Sequence, residues 1–202
     1  MACATSDLTS PPLPLVELKI VVAGGFGVGK TTMVAALSEI VPLTTEGTVT
    51  VASEGVDDLS AVAGKTQTTV ALDFGRITFR EPQRQVILYL FGTPGQDRFQ
   101  FTWEGLAYGA VGAIVLVDTR RLEDSFTAIS FFEDKKIPFV VAMNHFDGTH
   151  HYETAEVRDA LELHPRVPVL TCDVRVRTSA RDTLSALVQH SLHCHQNPGA
   201  LA

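Results

Sequence analysis

The chain is poor in cysteine, in tryptophan and in positive charge. Its three cysteines are Cys3, Cys172 and Cys194. An odd count without a Cys-x-x-Cys pair supplies neither a disulfide framework nor a zinc half-site, and it suits a reducing compartment. Lysine and arginine number 16 against 23 aspartates and glutamates, a net charge of −7. A dedicated nucleic-acid binder carries the opposite balance. No basic run marks a membrane-surface patch; the densest stretch is Arg175-Val176-Arg177 with Arg181. No apolar run approaches the length of about 18 residues that a membrane span needs. Met1-Ala2-Cys3-Ala4-Thr5 lacks the regions of a secretory signal, Ala2 excludes myristoylation, and Gln196 to Ala202 form no prenylation box. Seven histidines tempt a metal reading, but His193-x-His195 beside Cys194 has no second half-site. The expectation is a cytoplasmic globular chain with no membrane anchor of its own, recruited to a membrane only through a partner.

What is present is a phosphate loop. Residues 24 to 31 read Gly-Gly-Phe-Gly-Val-Gly-Lys-Thr, a complete G-x-x-x-x-G-K-[ST] pattern. It follows the apolar run Leu18 to Ala23 and precedes the helical pattern Met33 to Leu37, the strand–loop–helix context that the pattern requires. Phosphate oxygens carry several negative charges, and successive backbone N–H groups at a helix N-terminus meet them with the positive end of the macrodipole. Lys30 would reach the β- and γ-phosphates, and the Thr31 hydroxyl would ligate Mg²⁺. Gly25, Phe26, Gly27, Val28, Gly29 and Thr32 complete the cradle.

At 202 residues the chain has room for one good core. Strands are expected at 16–23, 68–80, 85–91, 111–117, 137–143 and 167–171, and helices at 30–40, 97–108, 122–133, 153–162 and 178–193. This alternation predicts an α/β fold of three layers around a mixed six-stranded sheet. Segments 68–80 and 85–91 are joined only by Glu81-Pro82-Gln83-Arg84, too short for a crossover, so they predict an antiparallel hairpin with one antiparallel edge strand. Residues 1–14, with three prolines, read as a flexible leader and 196–202 as a tail, leaving 15–195 as a single nucleotide-binding domain. Within it, 43–67 reads as a long polar insertion without periodicity.

Four further segments follow the loop in order. They are Thr68-Thr69-Val70-Ala71-Leu72-Asp73, Gly92-Thr93-Pro94-Gly95-Gln96, Asn144-His145-Phe146-Asp147 and Thr171-Cys172-Asp173. With the phosphate loop, they make the chain resemble a Ras-like small GTPase of the prokaryotic type found in actinobacterial conservons, distantly similar to gliding-motility GTPases. The resemblance implies a GTP/GDP- and Mg²⁺-binding switch that hydrolyses GTP slowly. Lys30, Thr69 and Gln96 would carry catalysis, Thr31 and Thr69 the metal, and the Gly95 amide the γ-phosphate. Asn144, His145 and Asp147 would read guanine, while Cys172 and Asp173 would lie beside the base. It also implies a Roadblock-type protein and a sensor-kinase-like membrane protein as partners.

Three departures stand out. Gly92 occupies the position of an aspartate that holds a metal-bound water, a role that Asp73 could take over. His145 replaces a lysine, and Phe26 puts bulk beside the γ-phosphate, which predicts slow, partner-dependent hydrolysis. These departures keep a second reading open, a nucleotide-binding scaffold that does not cycle. A third, an adenine-nucleotide kinase or ATPase, is disfavoured by Asn144 and Asp147.

Overall fold

A strand held between two helix layers must be apolar on both faces. In the computed structural model, which describes residues 13–49, 68–95 and 97–197, the centre of the sheet obeys this rule. Ala113 to Val117 in β5 (Ala110–Val117) and Val140 to Ala142 in β6 (Phe139–Asn144) are fully buried. The other strands are β1 (Leu15–Ala23), β2 (Leu43–Val49), β3 (Thr68–Arg80), β4 (Gln85–Gly92) and β7 (Val169–Cys172). They hydrogen-bond in the order β2-β3-β4-β1-β5-β6-β7. The pairs from β4 to β7 are all parallel, whereas β3 runs antiparallel to both of its neighbours.

Helices α1 (Lys30–Leu37), α2 (Trp103–Ala107), α3 (Phe126–Asp134), α4 (Thr154–Ala160) and α5 (Arg177–Gln196) fill the connections. Successive residues of β1 face opposite layers. Ile20 and Val22 pack with Met33, Leu37, Leu184 and Leu187 under α1 and α5. Val21 and Ala23 pack with Trp103, Phe132 and Val157 under α2, α3 and α4.

The sheet has seven strands where the sequence predicted six. The additional one, β2, lies within the segment read as a polar insertion, and it pairs from Leu43↔Phe74 to Val49↔Thr68. Thr44, Thr45, Thr48 and Val49 are β-branched and suit a pleated edge, but threonine and glycine together looked like loop. The hairpin is as expected, closed by the Glu81 N–H donating to the Arg84 carbonyl at 2.9 Å. However, its outer strand β3 is not the edge, because β2 covers it. Helix α1 also stops three residues short of the expected end. Ser38 turns extended there, and its Oγ donates to the Ile40 carbonyl at 2.8 Å. Conversely, α5 continues to Gln196, the first residue of the expected tail. The rest of that tail beyond 197, the leader up to residue 12 and residues 50–67 lie outside the described residues.

Helix α5 packs directly against Gly112 in β5. A Cβ there would lie 2.5 Å from Ser191 Oγ, 2.9 Å from Leu187 Cδ1 and 3.2 Å from the Pro138 carbonyl oxygen. Gly112→Ala should therefore destabilise the fold by ~1–3 kcal/mol through overpacking, read as a lower urea midpoint with an unchanged slope.

Candidate nucleotide site

The phosphate loop leaves the carboxyl end of β1 and enters α1, at the rim where open α/β sheets bind ligands. Gly29 caps the helix with a left-handed φ of 109°. It tolerates no side chain, since a Cβ would fall 2.9 Å from both Asn144 Nδ2 and Val174 Cγ2. No side chain caps the first turn of α1, so its backbone N–H groups remain donors toward the loop's concave side. Val28 is buried, whereas Phe26 and Gly27 at the tip are exposed; Phe26 is 64% accessible.

Lys30 is buried and folds back onto its own loop, donating to the carbonyls of Gly24 at 2.8 Å and Gly25 at 2.6 Å. Burial pushes its ammonium from 10.5 down to about 8, against the opposing pull of the Asp73 carboxylate. Thr31 Oγ1 donates to Asp73 Oδ2 at 2.6 Å. Asp73 is itself buried and sits directly across the β3–β4 ladder from Gly92. Asp73 thus places a carboxylate from the neighbouring strand beside the head of the Gly92–Gly95 segment. A Cβ on Gly92 would press against Asp73, 3.0 Å from its Cβ, so the two positions share one space.

A cavity of about 320 Å³ opens between these groups, lined by Gly27, Lys30, Thr31, Thr32, Asp73, Thr93 and Gly95 among others. Thr93 is buried, and its Oγ1 has no hydrogen-bond partner among the described residues. An orphaned hydroxyl beside an ammonium, a second hydroxyl and a carboxylate fits a polar, charged occupant. The same donor set suits Mg²⁺, which takes one or two protein oxygens and completes its shell with water and phosphate. Gly95 closes over the loop; a Cβ on it would lie 2.5 Å from Lys30 Nζ and 2.9 Å from the Gly25 carbonyl oxygen.

The far end of the site hangs on Asn144, buried at the end of β6. Its Nδ2 donates to the Val28 carbonyl at 2.9 Å, and its Oδ1 accepts from the Val174 N–H at 3.2 Å. One amide therefore joins the phosphate loop to the segment after β7. Asp147 lies three residues beyond, with its side chain 82% exposed, and not buried as a carboxylate that rejects wrong bases would be. It accepts a fork from Arg175, Nη1 to Oδ2 at 2.9 Å and Nη2 to Oδ1 at 3.1 Å. This guanidinium holds the Asp147 carboxyl below its usual range, with a smaller contribution from His145. The His145 ring stacks on His151, with centroids 4.7 Å apart. The Cys172 thiol is buried, and its carbonyl accepts from the His145 N–H at 2.7 Å. Asp173 N–H donates to Ser179 Oγ at 3.0 Å.

The structure brings together Gly25 to Thr32, Asp73 and Gly95 at one end, and Asn144, His145, Asp147, Cys172 and Asp173 at the other. It treats Thr69 differently. That residue lies inside β3, paired with Thr48, because β2 recruits this stretch into the sheet instead of leaving it as a loop free to close on metal. Gln96 lies outside the described residues. Two arginines belong to the site without any sequence motif to mark them. Arg175 is one. The other is Arg121, whose Nη2 donates to the Phe26 carbonyl at 2.9 Å while Asp124 holds Nη1 at 3.5 Å.

A family model described as "Conserved hypothetical ATP binding protein" matches residues 22–194. The chain is also similar to an uncharacterized protein of Methanocaldococcus jannaschii, 28% identical over 177 residues that span 87% of this chain and 97% of that one. The match corrects the expected kinship with Ras-like conservon GTPases. Segments of that kind serve to grip phosphate and brace a base, tasks common to many nucleotide-binding proteins. The positions that depart, Phe26, Gly92 and His145, lie within those same segments. Among the described residues, no helix is long and apolar enough to cross a membrane.

Proposed function

The chain belongs to that family of nucleotide-binding proteins, and from this premise we propose that it binds guanine nucleotides with Mg²⁺ and hydrolyses GTP slowly. The observation that carries the guanine assignment is the Asn144 clasp. By bonding both the Val28 carbonyl and the Val174 N–H, it joins the phosphate cradle to the end of β6, and Asp147, three residues further on, would meet the edge of the base. Guanine presents N1–H and N2–H donors side by side; adenine has no such pair, and a carboxylate rewards only the first.

In this reading the first-turn amides of α1 and the Lys30 ammonium hold the phosphates. Lys30 has only to turn from the Gly24 and Gly25 carbonyls toward the incoming charge. Thr31 and Asp73 would hold the metal, which when bound neutralises charge on the β- and γ-oxygens. Gly95 lines the same cavity as Lys30 and Thr31, and its amide would meet a terminal phosphate. Catalysis is then positioning and charge stabilisation, and no residue forms a covalent bond.

Adenine-nucleotide binding is the competing reading, and the family's description favours it. Titrating nucleotide-free protein with GDP and with ADP in the presence of Mg²⁺ separates the two. GDP should bind about 10-fold more tightly, the range for hydrogen bonds to a charged group that stays exposed. Asp147→Asn should invert the choice of purine, because an amide donates to the 2-carbonyl of xanthine where a carboxylate accepts from the 2-amino group of guanine. Equal affinities for GDP and ADP would remove the guanine assignment.

A further inference from the structure

We propose that Arg175 is a gate on base recognition, a side chain that occupies Asp147 in the manner of guanine and must leave as guanine arrives. The inference rests on the guanine reading above. The 2-amino-pyrimidinone edge of guanine is chemically a cyclic guanidine, with two parallel N–H bonds directed at two carboxylate oxygens. Arg175 presents the same fork. Nη1 and Nη2 donate to Oδ2 and Oδ1 of Asp147 at 2.9 and 3.1 Å. Both oxygens are engaged by one planar donor pair, the bidentate arrangement that gives arginine its selectivity for carboxylates. Base and side chain therefore compete for the same lone pairs.

The gate is hinged. Arg175 keeps a second hold on Asp173, with Nε donating to Oδ1 at 2.9 Å and Nη2 to Oδ2 at 2.9 Å, and the backbone N–H of Arg175 adds a third bond to Oδ1 at 3.0 Å. Releasing Asp147 leaves the guanidinium tethered to Asp173 and half exposed, so it is ready to return when the base departs. His145, stacked on His151, adds a smaller electrostatic pull on both carboxylates.

An exposed pair of this kind contributes little, so the gate tunes affinity without blocking the site. The test is calorimetric titration of nucleotide-free parent, Arg175→Ala and Arg175→Lys with GDP and with ADP, each with Mg²⁺. Arg175→Ala should bind GDP about two- to fivefold more tightly than the parent, with ADP affinity unchanged. Arg175→Lys should fall between them, since one ammonium cannot cover both oxygens. A parent that prefers GDP, combined with an Arg175→Ala variant that binds it equally or more weakly, overturns the gate alone. A parent without that preference removes the guanine reading beneath it.

Discussion

Lys30→Ala should lower nucleotide affinity about 100- to 1,000-fold, the loss expected when a positioned ammonium's two bonds to phosphate vanish. The fold should survive, because among the described residues Lys30 bonds the Gly24 and Gly25 carbonyls of its own loop. Filter binding of labelled GDP, alongside thermal unfolding, separates the two effects. Unchanged affinity in a folded variant would sink the phosphate-site assignment. The same lysine sets a pH dependence. Its folded value is about 8 against an ordinary 10.5. Between those values the unfolded chain binds the extra proton, so this group's contribution to stability rises with pH. Phosphate binding runs the other way, because it favours the charged ammonium. Affinity should fall as pH rises through 8, with a proton taken up on binding, visible as a buffer-dependent binding enthalpy.

The second large effect concerns metal. Asp73→Ala should weaken Mg²⁺-dependent GDP binding by about 10- to 100-fold, the range seen when a carboxylate supporting a metal site is lost. Affinity measured in EDTA should stay near the parent's. Gly92→Asp alone should destabilise the protein, because its Cβ would meet Asp73 at 3.0 Å. Combined with Asp73→Ala, however, it fills the vacated space and should recover Mg²⁺ dependence. A double variant as metal-insensitive as Asp73→Ala would show that the carboxylate cannot be moved between the strands.

The legible parts of this molecule were those governed by short-range rules. The doubly apolar runs in β5 and β6, the four-residue hairpin link and the glycine loop before α1 each have a local cause that the sequence displays. β2 was hidden because its threonines and glycine serve loops and edge strands equally, and only pairing with β3 decides between them. That pairing also changed Thr69 from a candidate metal ligand into a ladder residue. Asp73 could be suspected from the gap at Gly92, yet only the register, Asp73 opposite Gly92, turns the suspicion into an address. Arg121 and Arg175 carry no motif, since their roles depend on which distant carbonyl or carboxylate the fold sets before them. The family was misread for a related reason. Phosphate and base impose similar residues on many lineages, and identity lies in the remainder of the chain.

Trp103 is the chain's one tryptophan. It is buried at the start of α2, and its indole N–H donates at 3.3 Å to the carbonyl of Pro94, the neighbour of Gly95. Pro94, Gly95 and Lys30 line the same cavity, so a terminal phosphate received there would press on the segment to which the indole is bonded. The protein thus contains its own optical probe. Intrinsic fluorescence, without any attached label, should register the arrival of a third phosphate and remain nearly silent to a diphosphate.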